Sequence, residues 1–213
     1  MAAVTAALTV PWIDHAPCAS DWRSLPWHAL VPVPGETPPA TAFQIQAGDI
    51  ALHLRIACTA SRLTCRMEND GDPLYLEDVV EVFLRPGEGD PAIYLEYELS
   101  PMGREFVLMI ASDRSGRSGW RPWAMTDGRR PAARVQVQGG QQRHGATVRG
   151  WRADIALPWA LFNGLGGKPE RGATWTGNIY RIDHADGRPA HAAWSPIDRA
   201  AFHQVDRFGS LRF

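Results

Sequence analysis

Carboxylates crowd one part of the chain. From Glu68 to Glu98 there are ten acidic residues and one Arg, and from Arg104 to Arg152 ten Arg against three acids. Segments of opposite charge either lie against each other or turn the acids toward a polar ligand or a cation. Three chemistries are open to such groups. Glu81 and Glu98 can be offered as the opposed carboxyls of a glycoside hydrolase, a reaction that needs a separation between them which sequence alone does not supply. Glu68-Asn-Asp-Gly-Asp72 offers hard oxygen ligands and a Gly for a sharp turn, as structural calcium requires, but lacks the EF-hand spacing and its closing Glu. Met102, Met109 and His203 are available as axial ligands for a haem-binding redox domain, without a CxxCH. Zinc has no pattern here, because the seven histidines never pair at helical spacing and no Cys/His cluster occurs. Neither a G-x-S-x-G, an HExxH nor a phosphate loop is present, so no enzyme class is supported by a motif and no cofactor is expected.

Strands must position these groups. Asp49 to Cys58 reads DIALHLRIAC, with Ile50, Leu52, Leu54 and Ile56 on one face and His53 and Arg55 on the other. Val79 to Arg85, Ile93 to Leu99 and Glu105 to Ala111 are further strands, punctuated by the turn sequences PGEGDP and SPMG. Alternation sets Glu81 on the face opposite Val80 and Val82, toward solvent or a groove. A looser Gly/Arg stretch covers Ser112 to Arg130. Ala133 to Gln138, Ala146 to Leu157, Trp175 to Asp183, Ala192 to Ser195 and Gly209 to Phe213 complete the strands. Asn178 and Arg181, in GNIYRID, either hydrogen-bond a ligand or pin adjacent loops. One short helix is placed at Pro158 to Phe162, with Pro at its start and Gly164 past its end. About ten short strands predict an all-β fold, an antiparallel β-sandwich that is jelly-roll-like with immunoglobulin-like layering. No boundary divides residues 1–213, so one domain is expected, with residues 1–20 as an N-terminal extension. The first 40 residues are rich in Pro and Trp and read as an edge or wrapping segment.

Composition narrows the partners. The 213 residues carry a net charge of -1, which argues against a nucleic-acid binder. A hydrophobic content of 45% is enough for a substantial core. No apolar run reaches the length of a membrane span. The N-terminus lacks a basic n-region and a full apolar stretch, so a soluble cytoplasmic protein with reduced thiols is expected. Cys58 and Cys65 flank a short turn, and a hairpin disulfide between them is expected only after export. The nine Trp suggest a domain that displays rings to a ligand.

Several blocks stand in a telling order: Tyr75-Leu-Glu-Asp-Val-Val-Glu81-Val-Phe-Leu, WRADIALPWALF from Trp151, WTGNIYRID from Trp175, and AAWSPIDRAAFHQVDRFGSLRF to the end. Together they resemble the carbohydrate-binding family 9 modules, and more closely the stand-alone bacterial family 9-like proteins, over about Asp21 to Phe213. The resemblance implies a β-sandwich that binds a sugar or glycoconjugate without cleaving it, in association with carbohydrate catabolism. It also implies a pair of rings that clamp a pyranose, which fall here on Tyr75 and Phe202. The modules carry Trp at both places. Glu81 matches the family's hydroxyl-binding Glu, and Glu98 stands where the modules have a sugar-binding Arg. Asn178, Arg181, Trp194 and His203 complete the expected ligand-binding set, although Trp194 reads more as a packing residue near the groove and His203 more as a hydrogen-bonded structural His. Trp22, Trp151, Trp159, Trp175 and Trp194 fall where the family's framework repeats, so most of the nine Trp are expected to pack. Structural calcium occurs in some members. A haem-binding sandwich, or a structural or partner-binding one with a decayed groove, is the alternative.

Overall fold

Period-two alternation builds two facing sheets. The computed structural model describes residues 5–87, 93–113, 116–123, 126 and 128–213. Its strands are β1 (Ala7–Thr9), β2 (His28–Ala29), β3 (Val31–Pro32), β4 (Thr41–Ala47), β5 (Ala51–Thr59), β6 (Val79–Arg85) and β7 (Ile93–Leu99). They continue with β8 (Glu105–Asp113), β9 (Gly116–Pro122), β10 (Ala132–Gln138), β11 (Gly150–Pro158), β12 (Thr174–Asp183), β13 (Ala190–Ala193) and β14 (Gly209–Arg212). The larger sheet runs β1-β14-β12-β6-β7-β8-β9, with β13 added to β12 and β3 to β13; the smaller runs β10-β11-β5-β4-β2. Among the described strands, β1 and β14 pair in parallel and the other pairings are antiparallel.

The residues between the sheets come from one parity of each strand. Val80, Val82 and Leu84 of β6 and Leu95, Tyr97 and Leu99 of β7 meet Phe43, Leu54, Ile56 and Ile155 of the smaller sheet. Each such side chain, fully buried, contributes about 1.5–3 kcal/mol. One end of this core is aromatic: Trp175 packs on Phe162 and Phe213 with centroids 4.9 and 5.0 Å apart, and Trp159 packs edge-on against Trp175. Trp22, Trp151, Trp159, Trp175 and Trp194 are all buried, as their framework role predicts. The opposite parity of the larger sheet carries a second apolar cluster, with Val79, Phe83, Tyr94, Phe106, Leu108, Tyr180 and Ile182 covered by Phe202 and Phe208. Both faces of β6 are therefore buried, which explains its unbroken apolar run around Glu81.

Some local expectations change. Pro158 to Phe162 is a 3-10 turn at Trp159–Phe162 and not an α-helix. Among the described residues the one α-helix, α1 (Ala19–Ser24), lies in the Pro/Trp-rich segment, where the Asp21 carboxylate accepts the Cys18 N–H at 2.7 Å. Its Trp22 ring lies 4.6 Å from the Arg55 guanidinium, on the outer face of the smaller sheet. The loose stretch from Ser112 supplies strand β9, and Ala7–Thr9, inside the expected extension, forms β1 against the last strand. Thr41–Ala47, unassigned in the sequence, is a central strand with Gln44 and Gln46 on its outer side. Cys18, Cys58 and Cys65 are free thiols, so the hairpin disulfide is not formed. Among the described residues no helix is long and apolar enough to cross a membrane. The turn PGEGDP falls largely on residues outside those described.

Candidate functional site

The outer face of the larger sheet is only partly covered, and the gap is a cavity of about 520 Å³. Neighbouring strands set its floor. Register pairs Tyr180 with Glu81 and Glu81 with Glu98, and in turn Glu98 with Phe106. The next row on the same face runs Asn178, Phe83, Glu96 and Leu108. Glu81, Glu96, Phe106, Leu108 and Ile182 line the cavity. Its walls come from loops: Tyr75 on a 3-10 turn (Leu74–Leu76), the segment Ala200 to His203, and His191 of β13. Trp120 of β9 completes the lining, its ring edge-on to Phe106 at 6.3 Å.

Tyr75 is 46% exposed and available to a ligand, whereas Phe202 is 8% exposed. Phe202 stacks flat on Tyr180, with centroids 4.1 Å apart and planes 8° apart, and its carbonyl accepts the Tyr180 hydroxyl at 2.8 Å. One face of the Phe202 ring is thus covered by protein. Glu98 does not line the cavity. Its carboxylate accepts the Tyr75 N–H at 3.0 Å and so holds the turn that carries the exposed ring. His203 lines the cavity, stacks on Phe83 at 5.3 Å and shares a 2.6 Å hydrogen bond with the Tyr94 hydroxyl. The His191 ring lies edge-on to Phe202, and its Nδ1 is 2.8 Å from the Glu36 carboxylate.

Glu81 and Glu96 lie on this floor with Glu98 beside them, and burial governs the charge of Glu81 and Glu98. Desolvation, reinforced by Glu98 and Glu96, drives the Glu81 carboxyl well above the ordinary carboxylate range. Desolvation and then the Glu96 charge push Glu98 up to about 9, helped by a hydrogen bond with Glu96 and opposed by the Tyr75 N–H. Near neutral pH Glu81 and Glu98 are therefore protonated and can donate O–H bonds as well as accept them. Oε1 of Glu81 is buried and has no hydrogen-bond partner within the protein.

Other expected site residues lie elsewhere. Arg181 points to the opposite side of β12, into the space between the sheets, because its parity is that of Ile179 and Trp175. It is fully buried there, with its guanidinium 5.3 Å from the Trp151 ring, and donates to Asp183 and to the Val79 carbonyl. Trp194 packs edge-on against Phe43 in the inter-sheet core. Asn178 has the parity of the cavity face but lies outside the lining. Its amide joins the loop after β13, donating to the Ser195 carbonyl and accepting from the Ser195 and Ile179 N–H groups.

The calcium-like loop is committed to its own turn. Asp72 accepts from the Glu68 and Asn69 N–H groups, and Asp70 accepts the Glu105 N–H and pairs with Arg130 at 2.9 Å. That last pair joins the acidic and the Arg-rich segments. Among the described residues no group of three or more His, Cys, Asp or Glu is arranged to hold a metal ion. A haem pair from the candidate residues is not formed either. Met102 packs against the inter-sheet core, and Met109 pairs with Leu95 on that same parity, across the sheet from His203.

Trp120, Glu96 and His191 were not among the sequence candidates. Trp120 stood in a stretch without regular alternation, and only its pairing opposite Ile110 brings it to the cavity. Glu96 had a readable signal, since it shares the parity of Glu98 in IYLEYEL.

A two-sheet sandwich with an aromatic and carboxyl-lined cavity on its outer face is a small-molecule binding fold. The family model for carbohydrate-binding family 9 matches residues 24–213, and the chain belongs to that family. An "Extracellular protein" of the fungus Arthroderma benhamiae is 24% identical over 198 residues, 88% of this chain and 87% of the relative. Among solved structures, a proposed carbohydrate-binding protein of Bacteroides uniformis matches with a TM-score of 0.77 and 20% identity, covering 98% of this chain and 99% of that one. A family 9 carbohydrate-binding module of Caldicellulosiruptor kristjanssonii in complex with cellotriose matches with a TM-score of 0.62 and 15% identity, covering 96% and 93%. The same organism's module in complex with glucose gives 0.65 and 15%, covering 96% and 94%. These structures share the fold of this chain.

Proposed function

We propose that the cavity binds a sugar ring without cleaving it, as part of carbohydrate catabolism. The observation that carries this reading is the partnerless Oε1 of Glu81 in the floor of a cavity walled by the exposed rings of Tyr75 and Trp120. The apolar C–H face of a pyranose suits those rings, and its hydroxyls suit carboxyl groups that both donate and accept. Glucose and cellotriose bound to the Caldicellulosiruptor modules support the ligand class. Glu81 and Glu98 are direct cross-strand neighbours on one face of the sheet, whereas carboxyls that cleave a glycosidic bond flank it from opposite sides. Burial also holds both in the protonated form, whereas a retaining nucleophile or an inverting base must be ionised. The free cysteines support a reducing compartment, while the fungal relative is named as extracellular; fractionation of the native host decides the location.

Titration calorimetry with glucose, cellotriose and a panel of other mono- and oligosaccharides tests the site. Expected is saturable binding that weakens about tenfold in Tyr75→Ala and in Trp120→Ala, with no hydrolysis of aryl glycosides. The absence of any heat or thermal shift across the panel would leave a structural or partner-binding sandwich as the role.

A further inference from the structure

The cavity has an unbalanced charge inventory. Glu81 and Glu96 line it and Glu98 adjoins them, while none of the described lining residues is a Lys or an Arg. The cation nearest to Glu81 in sequence, Arg85, shares its face of β6 but stands at the far end of that strand, outside the lining, and Arg181 faces the other way and is taken by Asp183. Each potentially positive ring is also engaged: His191 Nδ1 lies against Glu36, and His203 Nδ1 against the Tyr94 hydroxyl. The Tyr180 hydroxyl, on the same face, donates to the Phe202 carbonyl. What faces a ligand is thus a buried carboxyl patch with a free acceptor at Glu81 Oε1, under rings that favour positive charge at their faces.

We propose that the sugar taken by this cavity carries a protonated amine, with the ammonium group seated at Glu81 Oε1. This rests on the cavity being the sugar site. A neutral hydroxyl would satisfy that oxygen with one hydrogen bond and leave the carboxyls competing for protons. An ammonium group brings three N–H donors and a full positive charge, which matches a carboxylate in a site of low dielectric. As the ammonium enters, a carboxyl that is protonated in the free protein ionises beside it, and its proton passes to solvent. An N-acetylated sugar has lost both the charge and two of the three donors.

The test is titration calorimetry near pH 6.5 with glucosamine, galactosamine and mannosamine, their parent hexoses and their N-acetyl counterparts. Expected is at least one hexosamine bound tenfold or more tighter than its parent hexose, with the N-acetyl form no tighter than the hexose. Repeating that titration in buffers of different ionisation heat should show a proton released, and the hexose should show none. Glu81→Gln should bring the hexosamine-to-hexose ratio close to one. Hexose binding with no preference for any amine, or a preference that survives Glu81→Gln, overturns the amine proposal while leaving the sugar site standing. No binding by any member of the panel overturns the sugar site itself and the amine proposal with it.

Discussion

Replacing Glu98 by Gln probes the buried carboxyl cluster through stability alone, without any ligand. Gln keeps a carbonyl oxygen to accept the Tyr75 N–H and has the shape of a protonated Glu. In the folded protein burial and Glu96 push Glu98 up to about 9, against an ordinary value of 4.5. Between those values the folded chain holds a proton that the unfolded chain releases. Stability contributed by the group is therefore fully present below pH 4.5 and is lost as pH rises toward 9. One proton changes the unfolding free energy by about 1.4 kcal/mol per pH unit, so from pH 6 to 8 the loss is about 3 kcal/mol. For a domain of this size about 1 kcal/mol moves the Tm by roughly 2–4 °C, so that interval lowers the wild-type Tm by roughly 6–12 °C through this group. Scanning calorimetry of both proteins at pH 5, 6, 7 and 8 should give Tm values that separate progressively as pH rises, with Glu98→Gln the more stable at pH 8. A Tm difference that stays constant from pH 5 to 8, or a variant that falls faster than wild type, would refute the protonated cluster.

The remaining expectations concern packing and ring contacts. Arg181→Ala should destabilise by about 3–5 kcal/mol in urea denaturation, because it leaves Asp183 buried without its cation. Gly209→Ala should lower stability by about 1–3 kcal/mol, since its methyl would sit 2.6 Å from the Trp194 ring, and loss of the near-ultraviolet Trp signal would report the disturbed core. Tyr75→Ala should reduce sugar affinity about tenfold while leaving the Tm within about 2 °C, because the ring is half exposed and only its backbone is held by Glu98. A Tyr75→Ala protein that binds the same sugars unchanged would exclude this ring from the site.

Much of this molecule was legible from local pattern. Alternation in VVEVFLR and IYLEYEL determined that Val80, Val82, Leu95 and Tyr97 share a core face and that Glu81 and Glu98 lie on the other. Terminal blocks such as FGSLRF determined the family, and most of the nine Trp were legible as framework. Tertiary structure decided the rest because it depends on pairing between strands distant in sequence. Inter-strand register placed Glu98 opposite Glu81 and made a buried cluster of two isolated acids. It brought Trp120, from an irregular stretch, to the wall of the cavity. One residue of parity, together with the smaller sheet lying over that side of β12, sent Arg181 into the inter-sheet core and left Tyr180 beneath Phe202. A strand determines two faces by itself, but only the sheet that packs on one of them decides which face remains open to a ligand.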